Sequence, residues 1–387
     1  MGLTTSKEST PVIDEKPSVT NIVVDINNNL QEKDNKYSEQ VLKDNKQRIK
    51  ELQAEIKNRD TIIANLKHKT YNESDECDDI IKVKKNIEYE NLVFEGAGTK
   101  GIAYCGALHV LELLGILSKI KRYAGSSAGA IIAMLLAIGY NVEEITKITH
   151  DTDFKKFIDD KTGMFRDVYC IMNYYGYCDG AYFLSYVEKL IEAKTGNGNM
   201  TFAELLKYNS KELVITGTNI THMNTVYFSH LNHPNMAIKD AVRISMSIPF
   251  LFVPVKLNDC YMVDGGVIDN YPIHIFDGKY PGDRDAILNM IEANPKTLGF
   301  KIVTPDETEN FEAYKPATIG SLKDFGMTIL NTMMAANERK FMKPSYWLRT
   351  ICIQTPNFPL TQFDVTEEQK KDLILRGKTA VENFFAE

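Results

Sequence analysis

Two glycine-rich turns, Gly96–Gly101 and Gly125–Gly129, each follow a short apolar run and each open into a helical pattern. Leu92-Val93-Phe94 leads into Glu95-Gly96-Ala97-Gly98-Thr99-Lys100-Gly101 and a helix through Leu114. Ile120 to Ala124 leads into Gly125-Ser126-Ser127-Ala128-Gly129 and a strongly apolar helix beginning near Ala128. Strand, turn, helix, repeated, is the grammar of a parallel sheet, because consecutive parallel strands need a crossover and the crossover is usually a helix. Side by side in such a sheet, both turns lie at the same carboxyl edge.

The first turn satisfies G-x-G-x-x-G through Gly96, Gly98 and Gly101, so a dinucleotide loop is one reading. That reading wants an acid at the end of the next strand to hold a ribose, and Tyr123-Ala124-Gly125 stands there instead. A coenzyme-type oxidoreductase therefore remains only an alternative. The second turn satisfies G-x-S-x-G in the strand-to-helix context of a nucleophile elbow, with Ser127 at its apex. An ordinary Gly/Ser turn is the plainer reading. In the elbow reading, Gly125 and Gly129 are small because side chains there would collide with neighbouring backbone, and the helix N-terminus favours developing negative charge. Amides near Ala97, Gly98 and Thr99 would then face Ser127 as an oxyanion hole.

A serine needs a base. His109, His150, His222, His230, His233 and His274 are available downstream of the loop, and a histidine from residues 222–274 is one candidate. Asp264 is the better one: Cys260 to Val263 reads as a strand, and Gly265 and Gly266 free the carboxylate at its end, although Asp-Gly is also an ordinary turn signal.

The order G-x-G-x-[RK]-G, then G-x-S-x-G, then D-G-G with Asn270 and Pro272 following, resembles the patatin-like phospholipase family. Arg243 to Phe250 and Thr201 to Leu206 add to the likeness. The resemblance implies a Ser-Asp dyad without histidine, with Ser127 as nucleophile and Asp264 as proton acceptor. It assigns Gly96, Ala97, Gly98, Thr99, Lys100 and Gly101 to the oxyanion loop, with Ala97 where a third glycine is common and Lys100 where arginine is common. It also implies a lipid acyl ester as substrate and a reaction that requires no metal and no cofactor. A carboxylate is a weak base for a hydroxyl, so partial burial is expected to raise the pKa of Asp264. A non-phospholipid esterase of the same mechanism, or an inactive membrane-recruited scaffold, are the competing functions. The apolar segment Pro249 to Pro254 would meet acyl chains or simply line the core.

Net charge of −7 supplies no basic field for nucleic acid. Cys77, Cys105, Cys170, Cys178, Cys260 and Cys352 are scattered without CxxC or metal spacing, as expected of reduced thiols in the cytoplasm, so neither disulfide nor zinc is assigned. The longest apolar run, Ala128 to Gly139, is well short of the ~20 residues that cross a bilayer. Met1-Gly2-Leu3-Thr4-Thr5-Ser6 matches the N-myristoylation pattern at Gly2, which would place the protein peripherally on the cytoplasmic face of membranes.

The expected organisation is a disordered tether over 1–35, a coiled coil or amphipathic helix over 36–70, a linker over 71–87, and the hydrolase over 88–387. Residues 36–70 carry nine Lys/Arg against five Asp/Glu, a net charge of +4 that would serve as a second membrane signal. The alternative is a homodimer formed through residues 42–66. The hydrolase is expected to be a three-layer α/β/α sandwich with a mostly parallel central sheet.

Overall fold

The computed structural model describes residues 87–158, 164–278, 293–303, 319–320, 322–341, 344–356 and 362–386. The tether, the coiled coil or amphipathic helix, the linker up to residue 86 and the Gly2 lipidation signal lie outside the described residues.

In chain order the strands are β1 (Asn91–Phe94), β2 (Arg122–Gly125), β3 (Gly176–Cys178), β4 (Glu212–Asn219), β5 (Asn224–Phe228), β6 (Phe250–Phe252), β7 (Val255–Leu257), β8 (Cys260–Asp264), β9 (Thr297–Val303) and β10 (Thr350–Gln354). The helices are α1 (Ala103–Leu113), α2 (Ala128–Ile138), α3 (Val142–Asp151), α4 (Met164–Tyr174), α5 (Ala181–Thr195), α6 (Phe202–Asn209), α7 (Ile238–Ser245), α8 (Leu322–Phe341), α9 (Pro344–Trp347) and α10 (Glu367–Ala386). The main sheet runs β10-β9-β1-β2-β4-β8-β7, with β5 also on β4, and the first five strands are mutually parallel. β8 and β5 join β4 antiparallel, and β3 pairs with β6 in a separate ribbon. The expected mostly parallel α/β architecture is what the chain adopts.

Strand alternation divides the core. Leu92, Phe94, Tyr123, Leu213, Ile215, Leu298 and Phe300 point to one face, where α1, α2, α5, α7 and α10 bury them. Val93, Ala124 and Val214 point to the other, against Tyr271, Ile273, Ile275, Phe276 and Tyr346 of α9. β1 is buried on both sides, as a central parallel strand requires, and its Phe94 stacks on Phe300 at 5.1 Å. Helix starts follow the local chemistry. Thr201 and Glu204 form a capping box ahead of α6, and Thr366 and Gln369 form another ahead of α10. Among the described residues, no helix is long and apolar enough to cross a membrane.

α10 packs across α1, the helix that follows the first glycine turn. The two helices touch through backbone: a Cβ at Gly106 would sit 2.8 Å from the carbonyl carbon of Ile374, and one at Gly377 2.8 Å from that of Ala103. Overpacking of this kind typically costs ~1–3 kcal/mol. Gly377→Ala should therefore lower the melting temperature by several degrees in a thermal scan, whereas Lys378→Ala, one residue on and half exposed, should leave it nearly unchanged.

Candidate active site

β2 ends at Gly125, and α2 begins at Ala128. Between them Ser127 adopts φ 49° and ψ −124°, a conformation that L-residues rarely occupy and that turns its side chain off the end of the strand. The elbow closes because both flanking glycines are bare. A Cβ at Gly125 would lie 2.7 Å from the Ala130 nitrogen, and one at Gly129 would lie 2.5 Å from the carbonyl oxygen of Glu95. The Ser127 N–H donates to Ser245 Oγ at 2.8 Å, and the Ser127 hydroxyl faces Met246 Sδ at 3.6 Å. Ser245 and Met246 belong to the segment that the sequence marked only by family likeness.

The first glycine turn becomes a single 3₁₀ turn, Gly98–Ile102, entered with Gly98 at φ 54°. Two amides of the expected oxyanion loop are already engaged: Gly96 N–H donates to Asn270 O at 3.0 Å and Lys100 N–H to Ala97 O at 3.2 Å. Gly101 lies inside the turn, where its missing side chain lets the loop rest on Ala128. The amides of Ala97, Gly98 and Thr99 are used by none of the loop's backbone hydrogen bonds. Thr99 is also held from its side chain, with Oγ1 donating to Gln362 O at 2.9 Å.

Asp264 reaches this edge from the opposite direction. β2 leaves the sheet where Gly125 pairs with Ile215, but β4 continues two residues and more beyond it. β8 pairs antiparallel with that overhang and runs back inward, ending with Asp264 opposite Gly217. The register alone thus sets the carboxylate beside the elbow. Gly265 is required next, since a Cβ there would press on Ser126 Oγ at 2.7 Å.

Asp264 Oδ1 accepts from Gly266 N–H at 2.7 Å, and Asp264 N–H donates to Ser247 O at 2.9 Å. Oδ2 is buried without a hydrogen-bond partner. Burial pushes the carboxyl up to about 7, against the smaller opposing pull of the Gly266 amide and the Ser127 hydroxyl. The hydroxyl and the carboxyl face one cavity, near enough for the hydroxyl to pull the carboxyl's pKa down, while the hydroxyl's own hydrogen bond goes to Met246 Sδ.

That cavity has a polar half formed by Gly96, Gly98, Ser127, Asp264 and Asn270 and an apolar half formed by Ile248, Pro249, Val267, Leu330 and Met334. Asn270, present in the sequence only as a motif residue without a task, ties two walls of the cavity together. Its side chain donates to Gly96 O at 2.9 Å while its backbone carbonyl accepts from Gly96 N–H, so the glycine loop is tied to the turn that carries Asp264. Leu330 and Met334 carried no sequence signal.

The histidines are elsewhere. His274 Nε2 lies 3.3 Å from Tyr227 Oη and 3.6 Å from Asp269, and His222 Nδ1 lies near Asn219 and Cys260. His109 and His150 line a separate groove between α1, α3 and α10. The apolar segment Pro249 to Pro254 divides between its two expected roles: Pro249 lines the cavity, Leu251 and Phe252 are core, and Phe250 is 41% exposed.

Residues 92–277 match the sequence profile described as patatin-like phospholipase. The uncharacterized protein R571 of Acanthamoeba polyphaga mimivirus is 31% identical over 296 residues, covering 76% of this chain and 93% of the relative. YqhO of Bacillus subtilis (strain 168), also uncharacterized, is 30% identical over 307 residues, covering 76% of this chain and 98% of its own length. The probable lipid hydrolase 463L of Invertebrate iridescent virus 6 is 30% identical over 190 residues, 48% of this chain and 63% of that protein. An elbow serine, a glycine loop and a D-G-G aspartate facing one cavity, in a chain with these relatives, belong to a member of the patatin-like phospholipase family.

Proposed function

We propose that this family member cleaves acyl esters of phospholipids or related lipids with Ser127 and Asp264 as its catalytic dyad. The observation that carries the reading is a buried carboxylate oxygen without a partner, in the same cavity as a strained serine and the glycine-loop amides. In the first half-reaction Asp264 takes the Ser127 proton as Oγ attacks the ester carbonyl. Amides of Ala97, Gly98 and Thr99, with the N-terminus of α2, stabilise the oxyanion. Collapse expels the alcohol, to which Asp264 returns the proton, and leaves an acyl group on Ser127. Asp264 then activates water, which releases the fatty acid. A base that titrates near neutrality can do both, since it is part ionised and still basic enough to hold a proton. The residues on the apolar side of the cavity, Ile248, Pro249, Val267, Leu330 and Met334, have the chemistry to contact an acyl chain. Myristoylation of Gly2 and the basic segment 36–70 would hold such an enzyme at the cytoplasmic face of a membrane.

Because Asp264 must be unprotonated to act, activity should rise with pH through its folded pKa. The acidic limb of kcat/KM on a soluble ester should fall at about 7, and a limb near ~3.9, the ordinary aspartate range, would remove Asp264 as the base. Ser127→Ala and Asp264→Asn should each abolish hydrolysis, and the double variant should be no worse than either, because the pair acts as a unit. A fluorophosphonate probe should label the parent and not Ser127→Ala. Failure of the parent to label would favour the inactive scaffold. Asn270→Ala frees the loop that carries the oxyanion donors, so kcat should drop ~10²-fold with KM little changed. Equal loss in kcat and in thermal stability, with KM rising, would mark Asn270 as merely structural.

A further inference from the structure

We propose that α8 is a cover over the catalytic cavity whose outer face docks on a lipid surface, and that this docking uncovers Ser127. The inference rests on the lipid acyl hydrolase reading and adds how the site is opened. In the closed state the cavity measures about 20 Å³, room for about one water molecule, with Ser127 6% and Asp264 4% exposed. No acyl chain fits without movement of the wall. The movable part of that wall is α8, which supplies Leu330 and Met334, packed with Met327 against Ile248, Val263 and Val267.

Apolar packing holds this stretch of helix in place. Among the described residues, no hydrogen bond or ion pair ties the side chains of Phe325 to Met334 to the body of the protein, and the Thr332 hydroxyl bonds within the helix to Thr328 O. A contact of that kind can be exchanged for another apolar surface without leaving polar groups unsatisfied.

The outer face supplies the counterpart. Phe325, Ile329 and Met333, four residues apart and so on one stripe, are 50%, 45% and 50% exposed. From Phe325 to Ala336 the helix has no charged residue, in a chain where 25% of residues are charged. An exposed helix face ordinarily carries charge, so a charge-free one with a large apolar stripe marks an interaction surface. The stripe also continues to the cavity mouth. Phe250, next to the cavity-lining Pro249, is held at φ 67° with its ring against Gly326, where a Cβ would meet it at 3.3 Å. The surface that presents the substrate is therefore the occupant the geometry selects, and a second copy or a protein partner becomes an outcome of the test.

The full-length protein would be assayed on a short-chain phosphatidylcholine below its micelle threshold and on long-chain phosphatidylcholine vesicles. Phe325→Ser/Ile329→Ser/Met333→Ser should lower vesicle hydrolysis at least 10-fold more than monomer hydrolysis, and in a Ser127→Ala background should weaken vesicle co-sedimentation severalfold relative to Ser127→Ala alone. Leu330→Ala/Met334→Ala should instead raise the rate on the monomeric ester severalfold and shrink the gain on vesicles. The inference is overturned if the triple variant keeps the parent's vesicle-to-monomer ratio, if it alters only self-association or capture of a protein partner, or if the double variant slows monomer hydrolysis. A parent protein that binds vesicles through the stripe yet hydrolyses no ester would overturn the hydrolase reading and leave the docking face standing.

Discussion

Gly129 of α2 packs on the carbonyl end of β1, its Cα facing the oxygens of Phe94 and Glu95. No side chain fits between them, so the serine turn and the glycine loop, made by two separate β-α units, meet backbone to backbone. The loop's entrance is fixed from behind as well. The Glu95 carboxylate accepts from Lys301 Nζ at 2.5 Å and from Ile302 N–H at 2.6 Å, and its carbonyl accepts from the Tyr104 hydroxyl at 2.7 Å. Both members of this ion pair are buried, which makes it costly to break and weak as a source of net stability. Its effect is positional: β9, β1 and the start of the loop move as one piece.

The carboxylate comes to this piece by a different route. A purely parallel sheet would present only turns at its carboxyl edge, each followed by a helix. β4 overruns the edge and lets β8 return antiparallel, so the sheet delivers a strand end to the same place from outside. Asp264 is thereby desolvated by the sheet, the elbow and the apolar wall together, and that desolvation raises its pKa. Fold and electrostatics share one cause here, since the packing that positions the carboxylate also strengthens its hold on a proton.

How much of this was legible in the sequence follows from how local each signal is. The elbow and the loop are short runs whose chemistry demands small residues at fixed spacing, so Gly125, Gly129 and Gly98 announce them. Asp264 was legible as a strand end freed by glycines, whereas the contacts of His109, His150, His222 and His274 with other parts of the chain came only with the structure. Asn270 gave no such sign, because its two bonds to Gly96 join residues 174 positions apart. The engaged amides of Gly96 and Lys100 were hidden for a related reason: whether an N–H is free depends on what the fold places opposite it. α8 is apolar on two sides, which blurs the single stripe that periodicity reads, so neither its inner nor its outer role could be separated in advance.

The backbone crossing of Gly106 with the α10 turn around Gly377 joins segments made far apart in time. At ~5–20 residues per second, the ~270 residues between them take a ribosome from about a quarter of a minute to most of a minute. Throughout that interval α1 has been synthesised and its partner has not, so the helix that anchors the glycine loop stands with a bare glycine face. A nascent chain therefore carries its elbow serine long before the helix behind the glycine loop has its packing partner. Such an order of assembly leaves the serine's cavity unbraced while the chain's own apolar segments are still unburied.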